Sequence, residues 1–298
     1  MTEPRVSIVL VTRNGVATLP ALLDMVSAQR FDGGVEIVAV DSSSTDGTLE
    51  LLRSRVRTLM TIAPESFDHG LTRNHGIEKA RGEFVVLLVQ DAVPASDQWL
   101  GALVAPLESD QTVAGTFARQ IPRTDSRPLT RHYAGRWVAA STAPRTTRIA
   151  GRAAFAALAP DARLERCAFD NVCSCIRRSV WSTLPFSAAP FAEDLEWAKT
   201  VLLAGHTLVY APDAAVIHSH DRSAAYEFER TRLLHQRLYD LFGMRTIPTG
   251  AALVRAIGAS LALHASIEPT PRALALALAW PLGQYLGGRD GVRAAAPR

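Results

Sequence analysis

A run of aliphatic residues that ends in a carboxylate constrains the fold of this chain most. Val85 to Val89 is unbroken and apolar, and Gln90 and Asp91 follow it directly. Such a run is typical of a strand buried on both faces, as in a parallel sheet covered by helices. Because ligands of open α/β sheets bind at the carboxyl ends of strands, Asp91 is a candidate site residue. The alternative is an aspartate that opens a turn or caps the helix after Pro94.

Strands and helices alternate before this run. The apolar spacing of Leu19, Leu22, Leu23 and Val26 predicts a helix over Thr18–Ala28. Right-handed crossovers with short links leave few topologies other than a doubly wound parallel sheet. The predicted strands cover residues 6–11, 35–40, 59–62 and the run at 85–89, with further helices after Asp46 and up to Ala80.

Polar residues follow three of these strands and are predicted to converge at one edge of the sheet. The three loops are Thr12 to Asn14, Asp41 to Asp46, and Gln90 to Ala92. Arg73, near the start of an adjacent helix, is suited to a diphosphate or a base. The sequence contains neither the G-x-G-x-x-G nor the G-x-x-x-x-G-K-[ST] pattern, which argues against dinucleotide-binding oxidoreductases and P-loop enzymes.

Composition limits the classes of partner. The 298 residues are 48% hydrophobic and carry a formal net charge of +3, which is too small to indicate a nucleic-acid-binding protein. The arginines are unevenly distributed, with ten between Arg119 and Arg166 against three acids. This stretch favours an anionic partner such as a phosphate or a lipid headgroup, or it is a solvated arginine-rich loop.

The three cysteines indicate a reducing compartment. Their number is odd: Cys167, Cys173 and Cys175. We find no secretory signal, and no unbroken apolar run reaches the roughly 18 residues that span a bilayer. We therefore expect a cytoplasmic protein whose cysteines are core or site-lining residues.

The second half has fewer periodic segments. A helix bearing Trp99 and a strand over residues 112–118 are followed by an aperiodic stretch to about Ala162, with one helical patch at 151–158. A strand follows Asp170 and Asn171, and a helix opens at Glu193 and Asp194. Three more helices are predicted over residues 222–242, 251–265 and 272–286.

Two histidines continue the last predicted strand. His218 and His220 are two residues apart and would share a face of that strand. An H-x-H pair at a strand end is a candidate metal ligand, and a structural role is the alternative.

Taken together, these motifs resemble a known enzyme family. The segments S-I-V-L-V-T-R-N-G, V-A-V-D-S-S-S-T-D-G-T, T-R-N-H-G and L-L-V-Q-D-A look like the nucleotide-sugar half of a family 2 inverting glycosyltransferase. With F-D-H-G-L-T-R-N, F-A-E-D-L-E-W and V-I-H-S-H, the chain is most similar to the bacterial rhamnosyltransferase-like branch. The resemblance covers roughly residues 5–245.

The resemblance implies a fold and a domain organisation. It implies an α/β chain with a GT-A type doubly wound mixed sheet, in which a Rossmann-like nucleotide half is joined to an acceptor half. The expected glycosyltransferase domain spans residues 1–245, with the nucleotide-sugar half at 1–118 and the acceptor half at 119–220. A C-terminal helical extension is expected at 246–298.

The resemblance also implies roles for individual residues. The general base would be Asp194, the aspartate of the E-D pair. The donor-binding residues would be Thr12, Asn14, Asp41, Arg73, Gln90 and Asp91. The acceptor-binding residues would be Asp170, Asn171, Glu193 and Trp197. A divalent metal, Mg or Mn, would be held by Asp91 with His218 or His220, although the D-x-D motif of the family is reduced here to Gln90-Asp91-Ala92.

The expected activity is the transfer of a deoxyhexose, L-rhamnose from dTDP-L-rhamnose, to a saccharide or lipid-linked saccharide in cell-surface polysaccharide synthesis. The alternatives are the same chemistry with another UDP-, GDP- or dTDP-sugar, a non-catalytic sugar-nucleotide or glycan-binding protein, and a nucleotidyltransferase. The processive Q-x-x-R-W signature is absent, so we expect one transfer per encounter. The alanine-rich C-terminal helices suit peripheral contact with the inner face of the cytoplasmic membrane, a packed hairpin or a dimer contact, which leaves the oligomeric state open.

Overall fold

The nucleotide half of the sheet has the predicted alternation of strands and helices. The computed structural model describes residues 3–295. The first four strands pair in parallel, in the spatial order β3-β2-β1-β4. The elements are β1 (Pro4–Thr12), α1 (Leu19–Ser27), β2 (Gly34–Asp41), α2 (Thr48–Arg55), β3 (Thr58–Thr61), α3 (His69–Lys79) and β4 (Phe84–Val89), with a 3-10 turn at Pro64–Ser66.

The second half extends the same sheet and makes it mixed. The elements that follow are β5 (Val93–Pro94), α4 (Trp99–Ser109), β6 (Val113–Ile121), α5 (Pro128–Ala134), β7 (Arg145–Thr147), α6 (Arg152–Ala156), α7 (Pro160–Arg166), β8 (Cys173–Arg177), α8 (Arg178–Thr183), α9 (Glu193–Leu203) and β9 (Thr207–Ile217). The sheet continues as β4-β8-β6-β9-β5, and β7 pairs with β9. Strand β8 is antiparallel to both β4 and β6, whereas β6 and β9 are parallel. The mixed α/β sheet expected from the resemblance is confirmed.

Apolar side chains of the sheet are buried beneath helices on both faces. On one face, residues of β1 and β4 pack with α1 and α4, and Trp99 is fully buried. On the other face, α3 approaches β1 so closely that Gly76 faces Val9 directly. The buried rings of Phe117, Phe169 and Trp197 form an aromatic cluster in the acceptor half. These packed layers fix the strand ends that carry the polar loops.

The chain divides into two compact units, and the predicted domain boundaries stay a prediction. The first comprises the chain up to Ile121, Trp137–Ala156 and Cys167–His218. The second comprises Pro122–Arg136, Ala157–Arg166 and the chain from Ser219 onward. It therefore begins before residue 246 and takes in two earlier segments. Residues 1–2 and 296–298 of the predicted domains lie outside the described chain.

Three long helices build most of the second unit: α10 (Ala224–Phe242), α11 (Gly250–Ile267) and α12 (Pro271–Ala295). A small core links α5 to α11 and α12 through Tyr133, His264 and Trp280, and the Tyr133 hydroxyl lies 2.9 Å from His264 Nε2. Helix α11 has 18 residues and a mean hydropathy of 1.4, and His264 is its one buried residue. By length and composition it meets the criterion for crossing a membrane, although the sequence showed no unbroken apolar run of that length.

The stretch predicted to be aperiodic contains short elements. Helices α5, α6 and α7, a 3-10 turn at Val138–Ala140 and strand β7 all lie within it. Several of its arginines bind protein groups instead of forming one basic surface. Arg123 pairs with Asp125 at 2.6 Å, and Arg131 donates to the carbonyl oxygen of Ser126 at 2.6 Å. Arg123 and Arg131 therefore make contacts within the protein.

Candidate functional site

The three predicted loops meet at the carboxyl ends of β1, β2 and β4. The Thr12 hydroxyl donates to Asp41 Oδ2 at 2.7 Å, joining the ends of β1 and β2. The Asn14 amide donates to Ser44 Oγ at 2.8 Å, and Asn14 Oδ1 accepts from the Thr45 amide at 2.9 Å. The convergence predicted from the strand ends is therefore present in the structure.

Asp41 lies beneath these loops. Its side chain is fully buried, and its two oxygens also accept from the amide and hydroxyl of Ser44 at 2.7 and 2.6 Å. These contacts hold the turn after β2, in which Ser43 has a left-handed φ of 54°. Direct contact of Asp41 with a base stays a prediction, and its burial favours a role in shaping the loop. Thr12 is buried beside it, whereas Asn14 is exposed with a φ of 49°.

Gln90 joins the end of β4 to the first loop. Its Oε1 accepts from the Arg13 amide at 2.8 Å, and its Nε2 donates to the Arg13 carbonyl at 3.0 Å. Because the loop backbone engages both ends of the side-chain amide, Gln90 positions this loop. The predicted contact of Gln90 with a donor stays a prediction.

Arg73 is paired within the protein. Its Nη1 lies 2.9 Å from Glu193 Oε1 and donates to the His69 carbonyl at 2.8 Å. Both side chains of the ion pair are less than one tenth exposed. Arg73, predicted to bind the donor, and Glu193, predicted to bind the acceptor, are thus each other's partners.

Asp194 follows Glu193 at the start of α9. Ala192, the residue before the pair, has a left-handed φ of 57°, which is uncommon for a residue with a Cβ and marks a constrained turn. Asp194 Oδ1 accepts from the Leu195 amide at 2.8 Å, and Oδ2 accepts from the Asn171 amide at 3.3 Å. Part of the side chain remains exposed. The carboxylate is therefore held by two backbone amides at the start of α9.

The two adjacent carboxyls have opposite pKa shifts. Burial, with the charges of Glu193 and Asp170, raises the pKa of Asp194 well above its ordinary value. Burial also acts to raise the pKa of Glu193, but Arg73, His69 and a hydrogen bond from Asn171 outweigh it, and the pKa is lowered. Neighbouring carboxyls whose pKa values are pushed apart are typical of acid–base sites.

Asp170 and Asn171 occupy the loop before β8. Asp170 Oδ2 accepts from Gln120 Nε2 at 2.6 Å and from Trp137 Nε1 at 3.2 Å. Asn171 Nδ2 donates to Glu193 Oε1 at 3.1 Å. Asp170 therefore lies beside the candidate base, whereas Asn171 is buried and supports Glu193. Their predicted contacts with an acceptor stay predictions.

The position of Trp197 does not fit its predicted contact with an acceptor. Its side chain is 2% exposed, and its ring packs against Phe169 and Phe186. Its indole Nε1 donates to the Leu184 carbonyl at 2.9 Å. Because a residue four positions after Glu193 returns to the same face of a helix, the inward face of α9 buries this ring. Trp197 is a core residue.

Two of the predicted metal ligands, Asp91 and His218, lie together at the end of β9. The strand ends at Ile217, so both histidines lie just beyond it instead of on it. Within the first unit, His218 Nε2 is 3.7 Å from Asp91 Oδ1. His220 belongs to the second unit, and its role as a ligand stays a prediction. The distance between His218 Nε2 and Asp91 Oδ1 suits a shared cation, because ligand atoms about 2.1 Å from an ion lie about 3–4 Å apart.

Gln120 orients the imidazole of His218. Its Nε2 donates to Asp170, so its Oε1 is the atom that faces His218 Nδ1 at 3.1 Å. The imidazole must then donate from Nδ1, which directs the Nε2 lone pair towards Asp91. Hydrogen bonds of this kind fix the tautomer of metal-binding histidines. The side chains present therefore fit a divalent ion, and a mixed nitrogen and oxygen set favours Mn²⁺ over Mg²⁺.

Sequence analysis missed Gln120, His69 and Trp137. Gln120 follows the strand predicted over residues 112–118, so the strand-end argument that selected Asp91 applied to it as well. His69 contacts Phe67 and Phe191, and burial lowers its pKa. Trp137 is 46% exposed and lies in the stretch without periodicity, so no pattern indicated it.

The sheet order, the loops at the ends of β1, β2 and β4, and the carboxyl at the start of α9 fit a GT-A fold. The sequence model described as "Glycosyl transferase family 2" matches residues 7–163, which is more than half of the chain. The chain belongs to this family. The recognition made from the motifs is confirmed.

Two curated relatives have related names. The chain is 29% identical over 200 residues to the O-antigen chain rhamnosyltransferase WbaN of Salmonella anatum, a match that covers 65% of this chain and 60% of that protein. It is 27% identical over 237 residues to the O-antigen chain rhamnosyltransferase RfbN of Salmonella typhimurium, covering 76% of this chain and 70% of that protein. The first match thus spans less than two thirds of the relative.

Solved structures have the same fold. The mannosyltransferase PcManGT of Pyrobaculum calidifontis, in complex with GDP-Man and Mn²⁺, matches with a TM-score of 0.57 at 20% identity, covering all of this chain and 77% of that one. Glucosyl-3-phosphoglycerate synthase of Mycobacterium tuberculosis, in complex with UDP, matches with a TM-score of 0.56 at 18% identity, covering 83% and 82%.

Proposed function

We propose that this protein is an inverting, non-processive glycosyltransferase that moves L-rhamnose from dTDP-L-rhamnose to a saccharide or lipid-linked saccharide in cell-surface polysaccharide synthesis. The observation that carries the proposal is the environment of Asp194, a backbone-held carboxyl of raised pKa beside the crevice of a family 2 fold. The choice of rhamnose rests on the names of the two Salmonella relatives.

Inversion requires one base. Asp194 takes the proton of the acceptor hydroxyl as the hydroxyl oxygen bonds to the anomeric carbon, and the bond from that carbon to the diphosphate oxygen breaks on the opposite side. A raised pKa makes the carboxylate a stronger base near neutral pH, provided that it is ionised when the acceptor arrives. Glu193 remains ionised beside Arg73 and keeps Asp194 from ionising too readily.

The leaving diphosphate needs positive charge. A divalent ion held by Asp91 and His218 would neutralise the developing negative charge as a Lewis acid. Gln120 and Asp170 keep the imidazole in the required tautomer. The loops that Thr12, Asp41 and Gln90 shape provide the surface for the nucleotide.

We propose a cytoplasmic location for the catalytic unit, with peripheral membrane contact through the exposed face of α11. What supports this is the mean hydropathy of that helix and its exposure.

Replacement of Asp194 tests the proposal. We expect Asp194→Asn to lower kcat at least about 10³-fold while changing the affinity for the donor less than about twofold, because the base is lost while the size of the side chain is kept. The measurement is release of nucleoside diphosphate with acceptor present, beside donor binding by calorimetry. Asp213→Asn, an exposed aspartate of β9, is the matched control. Normal turnover by Asp194→Asn would refute the assignment of the base.

The same variant has an expected effect on stability. A carboxyl whose pKa is raised on folding binds its proton more tightly in the folded state, so its ionisation destabilises the fold as pH rises above the unfolded pKa. Relative to wild type, Asp194→Asn should therefore gain melting temperature as pH rises from 3 to 7. Near pH 3 the carboxyl is protonated in the folded protein, so only the lost hydrogen-bond acceptor separates the two proteins there.

Donor hydrolysis distinguishes the alternatives. A glycosyltransferase acting on another nucleotide sugar releases nucleoside diphosphate faster when an acceptor is present. A binding protein on the same fold releases none, and a nucleotidyltransferase releases pyrophosphate. A panel of nucleotide sugars assayed with and without saccharides separates these outcomes.

A further inference from the structure

Two arginines of the acceptor half lie on either side of β9. Arg119 is near the end of β6, Arg145 opens β7, and both strands pair with β9. Arg145 is in register with Tyr210. The charges of both arginines act on the Tyr210 hydroxyl, although burial is the larger effect and raises its pKa to about 12. Both guanidinium groups therefore lie near one buried phenol.

The hydrogen bonds of Arg119 are incomplete within the protein. Its Nε is buried and has no hydrogen-bond partner in the described part of the chain. A buried donor without a partner is costly, and in a native protein it indicates a missing ligand or an ordered water. The Tyr210 hydroxyl donates to the Ser141 carbonyl at 2.6 Å. This phenol proton is thus already engaged.

Arg119 shares a face of β6 with Phe117, whose ring packs against Phe169, the residue before Asp170. Gln120, the residue after Arg119, donates to Asp170, whose charge helps to raise the pKa of Asp194. Trp137 donates to the same carboxylate at 3.2 Å. The Asp170 carboxylate also accepts from the Val172 amide. These three protein donors satisfy the Asp170 carboxylate, which leaves Arg119 Nε without a partner there.

We propose that Arg119 and Arg145 form a subsite for an anionic group on the acceptor, either a phosphate or a carboxylate. This inference rests on the proposed transferase function and adds the charge of the acceptor to it. The planar guanidinium presents paired donors that match the oxygens of both groups. The protein would then bind the acceptor through its anionic group, at a point separate from the hydroxyl that reacts.

The experiment measures anion binding without turnover. Wild-type protein is first saturated with nucleoside diphosphate, which fills the phosphate site of the donor. It is then titrated by calorimetry with inorganic pyrophosphate in one arm and with glucuronate in the other. We expect a second binding event in one arm, weakened at least about tenfold in Arg119→Gln and in Arg145→Gln, which is the effect of losing one charge-assisted interaction.

Two further variants control the result. Arg148→Gln removes an exposed arginine of the same segment, whose charge acts on Asp110, and should leave binding unchanged. Arg119→Lys keeps the charge and should weaken binding less than Arg119→Gln. The arm that responds identifies the anion as phosphate or carboxylate. Affinity for the nucleoside diphosphate and the melting temperature should not change, as they would if the arginines served only the fold.

Absence of a second binding event in both arms overturns the subsite, as does equal weakening by Arg148→Gln. This outcome is distinct from failure of the proposed function. Wild-type protein that binds the anion but transfers no sugar from any donor would contradict the transferase function. Wild-type protein that transfers sugar to a neutral saccharide but binds neither anion would contradict only the subsite.

Discussion

Glu193 and Asp194 are consecutive residues with different proton affinities. Glu193 contacts a buried guanidinium and the Asn171 amide, which favour its ionised form. Asp194 has only backbone donors and faces the negative charges of Glu193 and Asp170. The helix start that carries both would otherwise favour negative charge. The difference between the two residues therefore comes from their side-chain neighbours.

Removing the charge of Glu193 should shift the pH dependence of transfer. The rate requires ionised Asp194, so kcat/KM falls as pH drops below the pKa of Asp194. Glu193→Gln removes a negative neighbour and leaves Arg73 uncompensated, and both changes lower that pKa. The acidic limb of the profile should therefore move to lower pH.

A profile of kcat/KM against pH tests this expectation. Glu78→Gln, an exposed glutamate of α3, is the control and should not move the limb. Because losing one partner of a buried ion pair costs about 3–5 kcal/mol, the assay temperature must lie below the melting temperature of the variant. A limb that stays in place or moves to higher pH would contradict the assigned coupling.

Individual site residues were predictable to different degrees. Strand-end reasoning found Thr12, Asp41 and Asp91, since a polar residue after a buried strand must emerge at the edge. The family resemblance selected Asp194. The pairing of Arg73 with Glu193 joins residues 120 positions apart in sequence, and no local pattern reports such a contact.

Helix α3 packs closely against the sheet through a glycine. A Cβ built on Gly76 would lie 2.4 Å from Val9 Cγ1 and 3.3 Å from Val40 Cγ2. The same helix carries Arg73 and Asn74, whose side chains reach α9 and Phe186. The depth of α3 on the sheet therefore determines where Arg73 meets Glu193.

Adding a methyl group at this contact should be destabilising. We expect Gly76→Ala to lower the free energy of unfolding by about 1–3 kcal/mol, because the packed strand cannot move aside. Gly101→Ala in α4 is the matched control, since a Cβ there meets no heavy atom within 4 Å. That substitution should raise the free energy of unfolding by about 0.5–1 kcal/mol. Urea denaturation measures both, and equal effects would contradict the packing argument.

Helices and strands were predicted correctly where they are long enough to show a periodic apolar pattern. Helices α1 and α10 and strands β1 and β4 lie within a few residues of their predicted bounds. Strand β7 has three residues and α6 has five, which is shorter than two helical turns or two strand alternations. Such elements form because β9 and the neighbouring core stabilise them, so the sequence around them carries little signal.

At the scale of the whole molecule, the order of the strands in the sheet was the feature hardest to predict from the sequence. Strand β8 lies between β4 and β6 and is antiparallel to both, although it follows β6 by about 50 residues in the chain. Chain alternation alone favoured a purely parallel sheet, and the resemblance supplied the mixed one. The division into units was also unforeseen, because two short segments before residue 167 cluster with the C-terminal helices.

Ligand binding should stabilise the whole fold through Asp91. A ligand at about 100 times its dissociation constant adds about 2.7 kcal/mol of stability, which corresponds to several degrees in the melting temperature. We expect Mn²⁺ with nucleoside diphosphate to produce such a shift in wild type. A chelator should remove it, and Asp91→Asn should abolish it.

Differential scanning fluorimetry measures these shifts. Asp213→Asn serves as the control and should respond as wild type does. Mg²⁺ in place of Mn²⁺ should give a smaller shift, because imidazole is a poor ligand for Mg²⁺. An equal response of Asp91→Asn and wild type would exclude this carboxylate as a ligand.

The side-chain amide of Gln90 holds the Arg13 backbone through two hydrogen bonds. A loop held by hydrogen bonds in this way loses little conformational entropy when a nucleotide binds. The cost of ordering the loop is then not subtracted from the free energy of binding. The loop that Gln90 holds is therefore ordered before the nucleotide arrives.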